Sequence, residues 1–374
     1  MTSPDPSEIQ IPAAWRPTDG RFGSGPSKIR AEAVAALADA GPTFLGTSHR
    51  QPGVRTVVGR IRSGLCELFS LPDGWEVVLG NGGSTLFWDA ATFGLIERRS
   101  EHLVFGEFSS KFARAATSAP HLDAPLVVES APGTHPAVVL EDGIDTYAFT
   151  HNETSTGVAM ALQRPSPAGL VVVDATSAAG GLPWAPSEVD VYYFAPQKCF
   201  ASDGGLWVAL CSPRAIERIG LIASRARWCP ASLDLSIALE NSRLNQTYNT
   251  PALATLFLLD NQISWMNENG GLAWCVDRCQ TSATTVYQWA TAHPHATPFV
   301  TEPAQRSAVV ATIDLDGVDA DKVCRALRAN GIVDTESYRK LGRNQIRIAM
   351  FPAIEPRDVE ALTRCLDYVI EALL

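Results

Sequence analysis

Short apolar runs set between helical patterns constrain this chain more than any other feature. Between about residues 28 and 265 they recur at 75–79, 103–105, 126–128, 147–150, 170–174, 189–194 and 206–211. They are rich in Val, Leu and Tyr, too short for helices and bounded by turn residues, so they read as buried strands. Strands alternating with helices imply an α/β fold: βα units building a mostly parallel central sheet with helices on both faces. After Pro251 a helical pattern runs to about Trp265 and stops at Asn269-Gly270-Gly271. The rest reads helix, strand 307–313, helix 320–329, strand 345–348, helix 355–373, a smaller α/β unit. The expected organisation is an N-terminal arm over 1–20, a large domain over 21–265 and a small C-terminal domain over 266–374. The arm is rich in Pro, Ser and Asp and is expected to be loosely ordered.

Composition narrows the function classes. The 374 residues are 46% apolar and 19% charged, as in ordinary globular enzymes. A net charge of −10 argues against nucleic acid or an acidic membrane surface as partner. Eight cysteines are scattered without a Cys-x-x-Cys pair or paired Cys/His ligand spacing, so reduced thiols and no metal are expected. No basic-then-apolar leader opens the chain, and no window approaches the roughly 18 apolar residues of a membrane span. A cytoplasmic protein is expected.

The stretch 171–206, VVVDATSAAGGLPWAPSEVDVYYFAPQKCFASDGGL, carries the strongest chemical signal. It places Asp174 at the end of one strand and Lys198 just past the next, at the sheet edge where α/β folds bind ligands. A lysine and a carboxylate there are what pyridoxal 5'-phosphate requires. The amine forms a Schiff base with its aldehyde, and the carboxylate keeps its ring nitrogen protonated. The pair alone equally fits a partly buried ion pair. The strand–turn–helix LGNGGSTLF adds Gly83, Ser84 and Thr85 at a helix N-terminus, where unpaired amides receive phosphate oxygens. It is not a dinucleotide-binding fingerprint, and alone it is an ordinary turn. THNETSTG follows a strand and offers the Thr154 hydroxyl to a phenolic oxygen; alone it reads as a capping loop. Phe108, after another strand, is placed to stack on a ring, although a lone Phe more often belongs to a core. In TYNTPA, Thr250 suits an N-cap with Pro251 at the first helical position, a second helix N-terminus open to phosphate.

These pieces occur in the order found in fold-type I pyridoxal-phosphate enzymes, and the chain resembles the class V aminotransferases. Within them it is similar to the phosphoserine aminotransferase branch of actinobacterial type. The likeness runs from RFGSGP nearly to the C-terminus, through GTSHRQPGVR, NGGST, HNETSTG, VVVDATSAAGG, FAPQKCF, YNTPA and IRIAMF. The resemblance implies that Lys198 bonds the cofactor, Asp174 pairs with its ring nitrogen and Thr154 with its phenolic oxygen. Phe108 would stack on the ring, where many relatives use Trp. Gly83, Ser84, Thr85 and Gln197 would hold the cofactor phosphate. Asn249 and Thr250 would reach the phosphate of the neighbouring subunit, which implies a homodimer with shared sites.

Arg is the residue that binds a carboxylate bidentately, and the resemblance gives that role to Arg347 in the late strand. It gives His49 and Arg50 to the phosphate or side-chain carboxylate of the substrate. Many members carry a His-Arg pair shortly before the late strand; here the segment is Tyr338-Arg339-Lys340-Leu341-Gly342-Arg343, leaving Arg339, Lys340 and Arg343 as candidate phosphate contacts. The implied reaction is transamination of 3-phosphohydroxypyruvate with L-glutamate in serine biosynthesis, with 4-phosphohydroxy-L-threonine of pyridoxine biosynthesis as a related substrate. An alanine–glyoxylate or serine–pyruvate type aminotransferase is the nearest alternative, but such an enzyme has no phosphate to bind and no need of Arg50. A cysteine desulfurase fits less well, because Gln197 rather than His precedes Lys198. A catalytically silent pyridoxal-phosphate regulator is opposed by the intact Lys198, Asp174 and Arg347.

Overall fold

The computed structural model describes residues 5–225 and 227–374. Helices α1 (Ala31–Phe44) and α2 (Pro52–Leu68) precede strand β1 (Glu76–Asn81). Then follow α3 (Ser84–Gly94), β2 (Ser100–Val104), α4 (Glu107–Ser118), β3 (Leu126–Glu129) and β4 (Thr146–Thr150). A two-residue hairpin, β5 (Asn152–Glu153) with β6 (Val158–Ala159), leads to β7 (Leu170–Asp174), β8 (Val191–Phe194) and β9 (Leu206–Cys211). Helices α5 (Pro213–Ser224), α6 (Leu235–Arg243) and α7 (Leu253–Glu268) complete this part.

Seven strands form one sheet in the order β1-β9-β8-β7-β4-β2-β3. Only β9 is reversed: it pairs antiparallel with β1 and β8, while β8, β7, β4, β2 and β3 pair in parallel. The C-terminal ends of β1, β2, β4, β7 and β8 therefore all emerge at one edge. Alternation along each strand serves two cores. Val171 and Val173 join Tyr192, Phe194, Val208 and Leu210 against α2 and α7, while Leu170 and Val172 join Tyr193, Trp207 and Ala209 against α3, α5 and α6. A strand apolar on both faces must lie inside such a sandwich, which explains the unbroken apolar runs.

The C-terminal part comprises α8 (Gly271–Ala292), β10 (Ala296–Pro298), β11 (Val310–Leu315), α9 (Ala320–Ala329), β12 (Gln345–Ala349) and α10 (Pro356–Leu373). Its sheet is antiparallel, ordered β10-β11-β12. β10 carries no clear sequence signal, being three residues long with Pro298 at its end, as an edge strand tolerates. None of the described helices is long and apolar enough to cross a membrane.

Two expectations need correction. Helix α7 starts at Leu253 with Ala252 as its N-cap, so Thr250 caps nothing; Pro251 precedes the helix instead of opening it. The N-terminal arm is not loose over its described residues. Ile9 and Ile11 are buried, Asn330 Oδ1 accepts from Ile11 N at 2.9 Å, and Asn330 Nδ2 donates to Ile9 O at 2.8 Å. Asp358, itself buried, accepts from Thr18 N at 2.8 Å. A polar side chain able to pair strand-like backbone gives a Pro-rich segment the partners that composition does not foretell. Asn330→Ala leaves buried backbone groups unpaired and is expected to lower unfolding stability by about 2–4 kcal/mol. Urea unfolding checks this, and unchanged stability would mean that Ile9 and Ile11 hold the arm by apolar contact alone.

Candidate active site

The sheet edge collects the polar loops that the apolar strands release. Asp174, the last residue of β7, is buried, and both of its carboxylate oxygens are held. Oδ1 accepts from Thr176 N at 2.9 Å and from the Thr176 hydroxyl at 2.5 Å, and Oδ2 accepts from Trp88 Nε1 at 3.0 Å. Burial pushes this carboxyl up, and the hydrogen bonds from Thr176 and Trp88 work against that. The Thr176 hydroxyl also lies 2.6 Å from Ser84 Oγ. With one proton to give, it donates to the carboxylate and receives from Ser84. Ser84 and Trp88 are four residues apart on α3, hence on one helix face. The carboxylate and the Gly83-Ser84 turn are thereby built as one unit. A Cβ on Gly83 would meet nothing within 4 Å, so the α3 N-terminus opens onto free space.

Lys198 follows β8 by four residues, and its side chain is 9% exposed. Nζ donates to Ser24 O at 2.5 Å. Burial lowers the amine's pKa to about 8; the positive charge of Arg347 adds to the fall, and Asp174 opposes it. Gln197 precedes it with a buried Oε1 that has no hydrogen-bond partner among the described residues.

The segment His151–Val158 is polar yet wholly buried, unlike a surface capping loop. Thr154 Oγ1 and Asn152 Nδ2 both donate to Ser177 Oγ at 2.8 Å. Glu153, 0% exposed, accepts from Phe108 N (3.1 Å), Ser109 N (2.9 Å), Ser109 Oγ (3.0 Å) and Ser155 Oγ (2.6 Å). It is thus a carboxylate seated on the N-terminus of α4, where the helix dipole favours it. Burial pushes Glu153 up, and these donors pull it back. Its effect is to pin Phe108, which lies half-buried at the rim with its ring 6.0 Å from that of Tyr338.

Arg347 comes from β12 and is no surface residue. Its Nη1 donates to Thr154 O at 3.2 Å, and its guanidinium lies 5.5 Å from the Tyr338 ring centroid. Its Nε is buried without a partner, and none of the ion pairs among the described residues includes it. A half-buried guanidinium without an ion-pair partner among the described residues keeps N–H groups free to bind an anion.

The remaining candidates separate. His49 Nδ1 lies 3.2 Å from Thr250 Oγ1, Arg50 Nη1 donates to Gln246 Oε1 at 2.9 Å, and Asn81 Nδ2 donates to Thr250 O at 2.8 Å. Arg50, Asn81, Tyr248 and Asn249 line a surface cavity of about 560 Å³. Thr85 is exposed beside the open turn. Lys340 pairs with Glu107 at 2.5 Å, next to Phe108, whereas Arg343 is turned away onto Asp314, also at 2.5 Å. Arg339 is exposed. Thr176, Trp88 and Glu153 escape a reading of the motifs alone. Asp-x-Thr spacing marks Thr176 as a turn partner of Asp174, and a helical turn links Trp88 to Ser84. Glu153 has only its place inside a polar loop.

An amine, a pinned carboxylate, an open helix N-terminus, a hydroxyl and an aromatic rim fit the aldehyde, ring nitrogen, phosphate, phenolic oxygen and ring of pyridoxal phosphate. The orphaned Gln197 Oε1 and Arg347 Nε are further groups still able to bond. Glu153→Ala is expected to cost about 3 kcal/mol or more, because several buried donors lose their acceptor. Glu153→Gln should cost nearly as much, since its NH2 group would face N–H donors; calorimetry of both variants checks this, and a stable Gln variant would contradict the ionised role.

Known proteins bear on the same residues. Positions 137–337 match the family described as Aminotransferase class-V. A phosphoserine aminotransferase of Nocardioides sp. is 61% identical, covering 98% of this chain and 99% of its own. Among solved structures, the phosphoserine aminotransferase of Cytophaga hutchinsonii superposes with a TM-score of 0.87 at 23% identity, over 94% of this chain and 99% of that one. A phosphoserine aminotransferase of Trichomonas vaginalis solved with bound pyridoxal phosphate does so at 0.80 and 18% identity, over 93% and 99%. This chain belongs to the class V aminotransferases, pyridoxal-phosphate-dependent enzymes of α/β fold, in the phosphoserine aminotransferase branch.

Proposed function

We propose that the chain transfers the amino group of L-glutamate to 3-phosphohydroxypyruvate, giving O-phospho-L-serine and 2-oxoglutarate. The observation that carries the reading is the half-buried Arg347, which makes no ion pair among the described residues and lies close enough to Lys198 for its charge to lower the amine's pKa. The near full-length kinship with phosphoserine aminotransferases supports the substrate. Pyridoxal phosphate supplies an aldehyde for the lysine amine and a ring that takes up the electron pair from the substrate Cα.

The residues divide the remaining work. Arg347 binds the substrate's α-carboxylate through two N–H groups and orients its Cα. Lys198 Nζ, the base with the lowered pKa, carries the proton to and from that Cα. Asp174, held by Thr176 and Trp88, keeps the ring nitrogen protonated, and its position is set before the reaction begins. Gly83, Ser84, Thr85 and Gln197 receive the cofactor phosphate, Thr154 its phenolic oxygen and Phe108 its ring face.

Half-buried His49 and the exposed Arg50, Asn249 and Thr250 form a separate group, flanked by the exposed apolar residues Leu45, Leu244 and Tyr248. This composition fits a subunit interface, and the group serves the partner's site in a homodimer, with Arg50 on the substrate phosphate. Eight free thiols suit a reducing compartment, so the enzyme is read as cytoplasmic.

Lys198→Ala should lose the visible band of the loaded enzyme and all turnover, and phosphohydroxypyruvate should be the far better acceptor than glyoxylate; the reverse preference favours an alanine–glyoxylate type enzyme. Mixing Lys198→Ala with an inactive Arg50→Glu variant should restore about a quarter of wild-type activity. Half the dimers are then mixed, and each has one intact site; no recovery would sink the shared-site arrangement. Cofactor loading of the apoprotein needs the free amine, so its rate should rise about tenfold per pH unit up to about pH 8 and level off above it. Arg347→Met removes a neighbouring positive charge and should move that midpoint upward.

A further inference from the structure

The strap 20–27 runs from the C-terminal part of the fold to the lysine. At one end Phe22 N donates to Val333 O at 3.2 Å, and Phe22 O accepts from Ala349 N at 3.1 Å. At the other, Ser27 N donates to Gln197 O at 2.9 Å, and Ser27 Oγ donates to Lys198 O at 2.6 Å. Between them, Ser24 O accepts from Lys198 Nζ, and Gly25 lies against the lysine side chain. A Cβ on Gly25 would fall 2.0 Å from Nζ, 2.4 Å from Cε and 2.7 Å from Cδ. The end of the lysine occupies the volume that any side chain at position 25 would need.

A lysine that alternates between bonding a cofactor and moving a proton needs a defined place when it is a free base. Donating one N–H to a fixed carbonyl limits where the remaining N–H and the lone pair can point. We propose that Ser24 O and the Cβ-free face of Gly25 form the berth of the Lys198 amine whenever that amine is not covalently bonded. Gly25 is a positioning residue here, acting through Lys198, and the assignment rests on Lys198 being the cofactor lysine.

Gly25 has φ +131°, so Ala there is strained whatever lies nearby. A double-mutant cycle on cofactor-free protein removes that contribution. The thermal midpoint is measured for wild type, Gly25→Ala, Lys198→Ala and the double variant. The strain is common to both backgrounds, while the clash with the amine exists only where Lys198 is present. Gly25→Ala should cost an extra 1–4 °C or so when Lys198 is present, as expected of overpacking a filled site. Equal losses in both backgrounds would overturn the berth. Should Gly25→Ala fail to fold in either background, a crystal structure of the wild type with pyridoxamine phosphate, which leaves the amine unbonded, decides. Nζ on Ser24 O supports the berth, and Nζ directed elsewhere ends it. The cycle needs no cofactor, so its outcome is separable from the visible-band test of the proposed function.

Discussion

The register of three parallel strands governs this molecule. Thr150 pairs with Asp174 and Asp174 with Tyr193, so β4, β7 and β8 end at one height. Each strand is apolar to its last residues and each following loop is polar. The sheet thus delivers His151–Gly157, Asp174–Ser177 and Ala195–Lys198 into one buried layer, where every polar group needs a partner. The partners are largely one another: Ser177 joins Asn152 and Thr154, while Thr176 joins Asp174 to Ser84. β1 is separated from β8 by the reversed β9, so Thr176 is what ties its Gly-rich turn to the carboxylate. These shared bonds limit movement, as electrostatic preorganisation requires, while Asn152 Oδ1, Thr156 Oγ1 and Gln197 Oε1 stay unpaired among the described residues.

Charge within that layer is unevenly spent. Glu153 and Asp174 are the acids, Lys198 and Arg347 the bases. Glu153 is consumed by the N-terminus of α4 and two hydroxyls, and Asp174 by Thr176 and Trp88. Neither makes an ion pair with Arg347. The chain carries a net −10, yet its half-buried Arg347 makes no ion pair among the described residues. Such an arrangement costs stability unless an anion completes it, and the cost is lowest for substrates that bring a carboxylate.

Strands 170–174 and 206–211 and helix 320–329 were legible to the residue, because runs apolar on both faces and a strongly amphipathic helix leave little choice of period. Asp174 and Lys198 were legible because strand ends mark the sheet edge. Thr154, Ser84 and Arg347 could be named from motifs, but Ser84 and Thr154 are held by hydrogen bonds to Thr176 and Ser177, whose identity as small polar residues is unremarkable in a turn. Position 250 misled: Thr-Pro is the pattern of a helix start, but here the helix begins three residues later and the Thr250 hydroxyl meets His49. The order of the arm depends on Asn330, more than three hundred residues away, and no local signal carries that.

The strap 20–27 joins the strand of Arg347 to Lys198, although the two come from different parts of the fold. Arg347 lies two residues before Ala349, whose N–H is bonded to Phe22 O, and Lys198 is bonded to the strap at Ser24 and Ser27. From Phe22 to Ser27 the chain is short, so any displacement of β12 relative to the sheet edge pulls on the same residues that touch the lysine. Gly23 is also confined, with a Cβ there reaching Pro26 O at 2.9 Å, so the strap cannot easily rebuild by taking on side chains. Residues 20–27 thereby couple β12 mechanically to Lys198.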